Sequence, residues 1–234
     1  MKTQKNMRGG FTLVELLVVI VIIAALAGLA APQIIKHRKK ADQTEAVSNA
    51  RQVGMALFEF ETAYGSFPDS TTAEDVTENT QSPLSLAGTT ANDYFRQLLA
   101  TEIASSEEIF YAKSGYSKKP DNVFNTSEDA LAPGEVGFGY IMNGERALSS
   151  AGNPARPVAG APLKFPFESG QFDSDYYDAR AVVLRIDNSV QSLQIVKSTG
   201  LAMMGGGKNL LQTGEDTIWG SNITPLMVNP DAVE

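Results

Sequence analysis

One carboxylate stands where a carboxylate is costly. Glu15 lies inside the run Phe11 to Ala31, FTLVELLVVIVIIAALAGLAA, whose only strongly polar members are Thr12 and Glu15. An acid within an apolar segment long enough to cross a bilayer costs several kcal/mol unless it reaches an interface or a partner, so its default reading is functional. The competing reading keeps Glu15 near the helix start, within reach of headgroups and stabilised by the helix dipole. A second group with chemical reach is Asp173, Asp175 and Asp178, which offer hard oxygen ligands suited to calcium. The alternating acids and glycine of a calcium loop are missing there, and a solvated acidic loop is the rival explanation.

The remaining inventory excludes more than it offers. The chain has no cysteine, which removes disulfides, thiolate metal sites and a cysteine nucleophile. Its one histidine, His37, sits in the basic run Lys36-His37-Arg38-Lys39-Lys40, a poor place for a buried, oriented base. No catalytic residue is assigned, and an enzyme is not expected. Residues 1–40 hold seven of the 19 basic residues and one of the 27 acids; the 12 and 26 that remain give residues 41–234 a formal charge of −14. A surface of that sign repels phosphates, so nucleic acid is not expected as a partner.

These groups need elements to position them. At about 1.5 Å per residue the twenty-one residues of the apolar run make a helix of roughly 30 Å, enough for the hydrocarbon core of a bilayer. A secretory signal is the rival, since residues 1–10 are basic and Ala25-Leu26-Ala27 resembles a cleavage site. The run is longer than a signal core and carries Glu15 in its first turns, both of which count against that reading. Pro32 removes the helix hydrogen bond to the carbonyl of Gly28, and a kink or meltable stretch is expected between the two. Ala46, Ala50, Val53, Leu57, Phe60 and Tyr64 then recur at helical spacing, with Asp42, Glu45, Arg51 and Glu59 opposite, which predicts an amphipathic continuation ending at Gly65 and Pro68.

The motif Gly10-Phe11-Thr12-Leu13-Val14-Glu15-Leu16-Leu17 behind a short basic leader resembles the signal of type IV pilins and type II secretion pseudopilins. The exit Tyr64-Gly65-Ser66-Phe67-Pro68 is similar to that of major pseudopilins. The resemblance implies cleavage after Gly10 by a prepilin peptidase, methylation of the new amine on Phe11, and a Glu15 that meets the Phe11 amine of a neighbouring subunit. It implies self-association into a helical filament, an inner-membrane assembly platform, other pilins and membrane lipid as partners, and loosening between Gly28 and Pro32 in the filament. It also implies a leader in the cytoplasm and a head outside it, an orientation that basic residues on both flanks leave undecided. Calcium enters as an option from some major pseudopilins; no other cofactor is expected.

The expected fold class is α+β: a long N-terminal helix, transmembrane then amphipathic, on a small head with an antiparallel sheet. The divisions are a cleaved leader 1–10, a transmembrane helix 11–32, an amphipathic continuation 33–66 and a head 67–234. Within the head, residues 69–91 read as a polar loop, a short helix starts at Asn92 or Asp93, and Ile109-Phe110-Tyr111 reads as a strand. Residues 136–142 read as a strand running into the turn Asn143-Gly144. Residues 181–186 and 190–196 read as a hairpin, with Trp219 packed against the sheet. A membrane-anchored or minor tip subunit whose head binds a ligand is the alternative function, and a secreted hydrolase cut near Ala27 is the third.

Overall fold

The computed structural model describes residues 12–233. Helix α1 runs Leu13–Tyr64 without interruption, through both Gly28 and Pro32. It ends where the sequence predicts: Gly65 takes a positive φ of 85°, which a residue without Cβ adopts at no steric cost, and its N–H donates to the carbonyl of Glu61 at 2.7 Å. The chain divides between Lys39 and Lys40 into two compact units. In the first unit, every large apolar side chain from Leu13 to Ile35 is at least 44% exposed.

The second unit is built on the remaining half of α1. Its buried face is Ala46, Ala50, Val53, Gly54, Ala56, Leu57 and Phe60, which contains the predicted stripe, with Tyr64 half-buried and stacked on Phe60 at 4.7 Å. Against this stripe lies a six-stranded, wholly antiparallel sheet of order β5-β4-β3-β2-β1-β6. The strands are β1 Gly139–Asn143, β2 Pro157–Ala161, β3 Arg180–Arg185, β4 Val190–Ile195, β5 Ala202–Met203 and β6 Pro225–Val228. The β3–β4 pair is the predicted hairpin, with Leu184 opposite Val190 and Ala181 opposite Leu193. The α+β class and the antiparallel sheet are as expected.

Helix and hairpin touch at Gly54. A Cβ there would sit 2.1 Å from Asn188 Oδ1 and 3.1 Å from Leu184 Cδ1, so only glycine lets the helix approach the β3–β4 hairpin this closely. On the other side of the stripe, Asn49 donates to the carbonyls of Glu108 and Tyr111 at 2.9 and 3.0 Å, pinning the helix to that stretch of the head. Trp219 is buried and its Nε1–H donates to the Leu210 carbonyl at 2.7 Å, which makes it a packed core residue, as expected.

Two expectations fail, each for a local reason. Residues 69–91 contain helix α2, Ser70–Thr80, rather than a loop. Its segment holds only two apolar side chains that become buried, Ala73 and Val76, too few to show a helical period. The helix is specified by its cap instead: Asp69 accepts the N–H groups of Thr71 and Thr72 at 2.8 and 3.1 Å, and Thr72 Oγ1 accepts the Asp69 N–H at 2.9 Å. Gln97 of helix α3, Ala91–Ala100, locks that cap by accepting from Thr72 Oγ1 and donating to the Asp69 carbonyl, at 2.7 and 2.9 Å. The second failure is Ile109-Phe110-Tyr111, which is no strand: Glu107–Phe110 is a 3₁₀ turn started by Ser106, and it lays Phe110 on Phe95 at 5.1 Å. Helix α3 begins at Ala91, one residue before the predicted start, because Thr90 and Asp93 form a reciprocal cap.

Burial pushes the Asp69 carboxyl upward, but hydrogen bonds from Thr71, Ala147 and Thr72 outweigh it and hold the group below its ordinary value of 3.8. Its contribution is therefore complete above that value and is lost as pH falls through the lower folded one. Asp69→Ala is expected to cost about 2 kcal/mol, at the upper end for a helix cap because the Ala147 N–H also loses its acceptor. Denaturant titration at pH 7 and at pH 3 checks both parts: the deficit relative to the native chain shrinks at the lower pH.

Candidate functional site

The first turn of α1 carries the candidate site. Glu15 does not stand alone in it. Its Oε2 accepts the Thr12 N–H at 2.8 Å and the Thr12 hydroxyl at 2.7 Å, while Thr12 Oγ1 accepts the Glu15 N–H at 3.2 Å. Thr12 and Glu15 are thus the two members of a capping box, in which a threonine and an acid three residues later each satisfy a backbone donor at the helix start. All three bonds are local, and the carboxylate bonds, among the described residues, use only one of its two oxygens. The acid also sits at the positive end of the helix dipole.

Sequence reasoning gave Glu15 a dipole and a headgroup but missed Thr12. The signal was available, since Thr-x-x-Glu ahead of an apolar run is the sequence form of this box. Gly10 and Phe11, the expected cleavage and methylation positions, lie outside the described residues.

Beyond the box, one helical window of this segment is apolar and long enough to cross a membrane, and none of that window is buried within the chain. Gly28 and Pro32 both lie inside the continuous helix, and a Cβ on Gly28 would meet no atom within 4 Å. Pro32 has no N–H, so the Gly28 carbonyl lacks its ordinary helical donor while the helix continues past it. The helix has no break at the expected kink, where one hydrogen bond is missing.

The three aspartates expected to offer oxygen ligands do not converge. Asp173 Oδ1 accepts the Asp175 N–H at 2.8 Å, and Tyr177, Asp178 and Ala179 take positive φ values of 50°, 57° and 57°. Asp173 and Asp175 line an open depression with Lys164, Glu168 and Lys197, so that two lysines face three acids. Among the described residues, the carboxylates that do converge are Glu107, Asp121 and Glu135, with one oxygen from each within 4.8 Å of the others. Each lies fourteen positions from the next, so no local motif announces them.

The model of the prokaryotic N-terminal methylation motif matches residues 5–31, which include the capping box and the whole apolar run. The type II secretion system core protein G of Aeromonas hydrophila is 30% identical over 147 residues, 61% of this chain and 88% of that protein. The protein of the same name from Vibrio cholerae is 26% identical over 129 residues, covering 55% of this chain and 73% of its own length. The one from Escherichia coli K12 is 48% identical over 48 residues, 20% of this chain. No solved structure matches the chain.

Thr12→Val removes one half of the box and leaves the other side chain in place. Amide exchange of residues 14–16 in detergent micelles is expected to quicken about fivefold, the effect of losing a typical cap, while exchange in the second unit is unchanged.

Proposed function

The chain belongs to the type IV pilin and pseudopilin family as a prepilin-type subunit, and we propose that it builds the pseudopilus of a type II secretion system. The observation that carries this reading is the apolar helix whose side chains are exposed all round and whose first turn holds a carboxylate. Such a surface has two suitable environments, a bilayer and a bundle of identical helices, and a pseudopilin passes from the first to the second. The role is structural rather than enzymatic.

Before assembly, residues 13–31 span the inner membrane, with the leader on the cytoplasmic side and the second unit outside. Cleavage after Gly10 creates an amine on Phe11, which is then methylated. That ammonium and the Glu15 carboxylate of the adjacent subunit each remove the other's main cost of burial in an apolar medium, and their pairing sets the axial step between subunits. The oxygen of Glu15 outside the capping box is the one that accepts the neighbour's amine, so self-capping and assembly need not compete. The Gly28 carbonyl without a donor marks where the helix loosens when it enters the filament.

Mass spectrometry of the subunit from membranes is expected to find N-methylated Phe11 at its start, and any other mature N-terminus overturns the processing step. Two substitutions then separate the roles of the box. Glu15→Val is expected to lower filament yield by at least about tenfold in cells, because it removes a charge partner within an apolar bundle. Thr12→Val, which loses the cap but keeps the carboxylate, is expected to stay within about twofold of the native chain. Equal loss in both would reduce Glu15 to a helix cap.

A further inference from the structure

Lys36, Arg38, Lys39 and Lys40 place four positive charges within five residues of α1, immediately after Ile34 and Ile35, the last large apolar pair of the exposed segment. Lys36, Arg38 and Lys40 are exposed and Lys39 is half-buried. Among the described residues none of the four forms an ion pair, although acids follow on the same helix. The nearby Glu45 is engaged by Lys119 at 3.7 Å. Successive side chains leave a helix about 100° apart, so these four charges ring α1 rather than form one face.

We infer that this ring binds anionic phospholipid headgroups on the far side of the span, which rests on the membrane-spanning reading above and not on filament assembly. A hydrocarbon core of about 30 Å that begins at Leu13 ends near Pro32, and residues 36–40 then lie about 6–12 Å beyond it along the same continuous helix. Lysine and arginine stems cover such a gap, laying their methylenes on the apolar boundary and carrying the charge to the phosphates. Lipid surrounds a helix on every side, which suits a ring; a groove on a protein partner meets a single face. The sign of the charge selects anionic lipid, since each basic group near such a surface adds to the attraction. On the outer flank of the span these charges also oppose the positive-inside bias, a cost to topology that solvation alone does not offset.

Bound in this way, the ring fixes the depth of the helix. The apolar residues resist movement toward water at both ends, and the headgroup contacts add a charge-dependent stop at one of them. A subunit drawn out of the bilayer has to break those contacts first, so the anionic lipid content of the membrane sets how readily it leaves. Exposed charges of this kind are screened by salt, which gives the contact a signature that apolar insertion lacks.

The full chain reconstituted in phosphatidylcholine vesicles, with spin-labelled phosphatidylglycerol or spin-labelled phosphatidylcholine as the probe, tests this. The motionally restricted lipid is expected to favour phosphatidylglycerol by about fivefold in about 50 mM salt, and the preference shrinks toward unity in about 1 M salt. The variant Lys36→Gln/Arg38→Gln/Lys39→Gln/Lys40→Gln keeps good helix formers at all four positions. It is expected to lose at least about half of the preference, the remainder belonging to Lys2, Lys5 and Arg8 of the leader. Lys164→Gln/Lys197→Gln, which removes exposed charge from the second unit, keeps the native preference. Restricted lipid without headgroup preference in the native chain, or a smaller loss in the fourfold variant, overturns the ring. Absence of restricted lipid of either kind overturns the membrane-spanning reading as well, which keeps the two failures apart. A fourfold variant that keeps the lipid preference and loses only self-association, read by crosslinking in phosphatidylcholine vesicles, assigns the ring to a second copy and also overturns it.

Discussion

Residues 13–35 carry fourteen large apolar side chains with no covering layer of their own, and this single fact constrains the rest of the molecule. An amphipathic helix can hide one face on a domain, but a helix apolar on every side must be surrounded. Lipid does that for an isolated subunit, because an α-helix satisfies its own backbone there. Like helices do it in a filament. The backbone donors such a helix cannot satisfy are those of its first turn, and Thr12 with Glu15 supplies acceptors for two of them, the Thr12 and Glu15 N–H groups, from within the same turn. The acid therefore has a structural role in the single chain before any partner is present, and its second oxygen remains for intermolecular work.

The second unit follows a different logic on the same helix. From Ala46 onward the stripe narrows to small residues and a few large ones, and the sheet comes close enough that Gly54 admits no side chain against Asn188 and Leu184. Polar groups on either side of that contact, Asn49 and Gln43, bond to the turn after α3 and to Ser192 of β4. One covalent helix thus presents an all-round apolar surface in one unit and a keyed, half-polar surface in the other. The change falls near the basic run at Lys36 to Lys40, beside the division between the units.

Much of this was legible in the chain itself. The apolar run, the stripe from Ala46 to Tyr64, the Gly65 cap and the 181–196 hairpin each rest on interactions between residues a few positions apart, where periodicity and turn chemistry act directly. Helix α2 escaped because four threonines and only two buried apolar side chains give no period; its specification lies in the Asp69 cap and in Gln97, 28 residues away. The turn at Glu107–Phe110 escaped for a similar reason. Its β-like residues are held by Phe95 and by the bonds from Asn49, contacts that outweigh strand propensity.

The acidic groups show the same boundary most clearly. Asp173, Asp175 and Asp178 are close in sequence and invite a reading as ligands, yet among the described residues the three acids that gather are others. Glu107, Asp121 and Glu135 are far apart in sequence and come together only when the head folds. By itself the sequence determined the membrane-competent helix, its charged first turn and the antiparallel character of the head, since these arise from short-range patterns of polarity and backbone preference. The strand order, the close approach at Gly54 and the convergence of three distant carboxylates were decided by tertiary structure, because each depends on long-range packing that no local window of residues encodes.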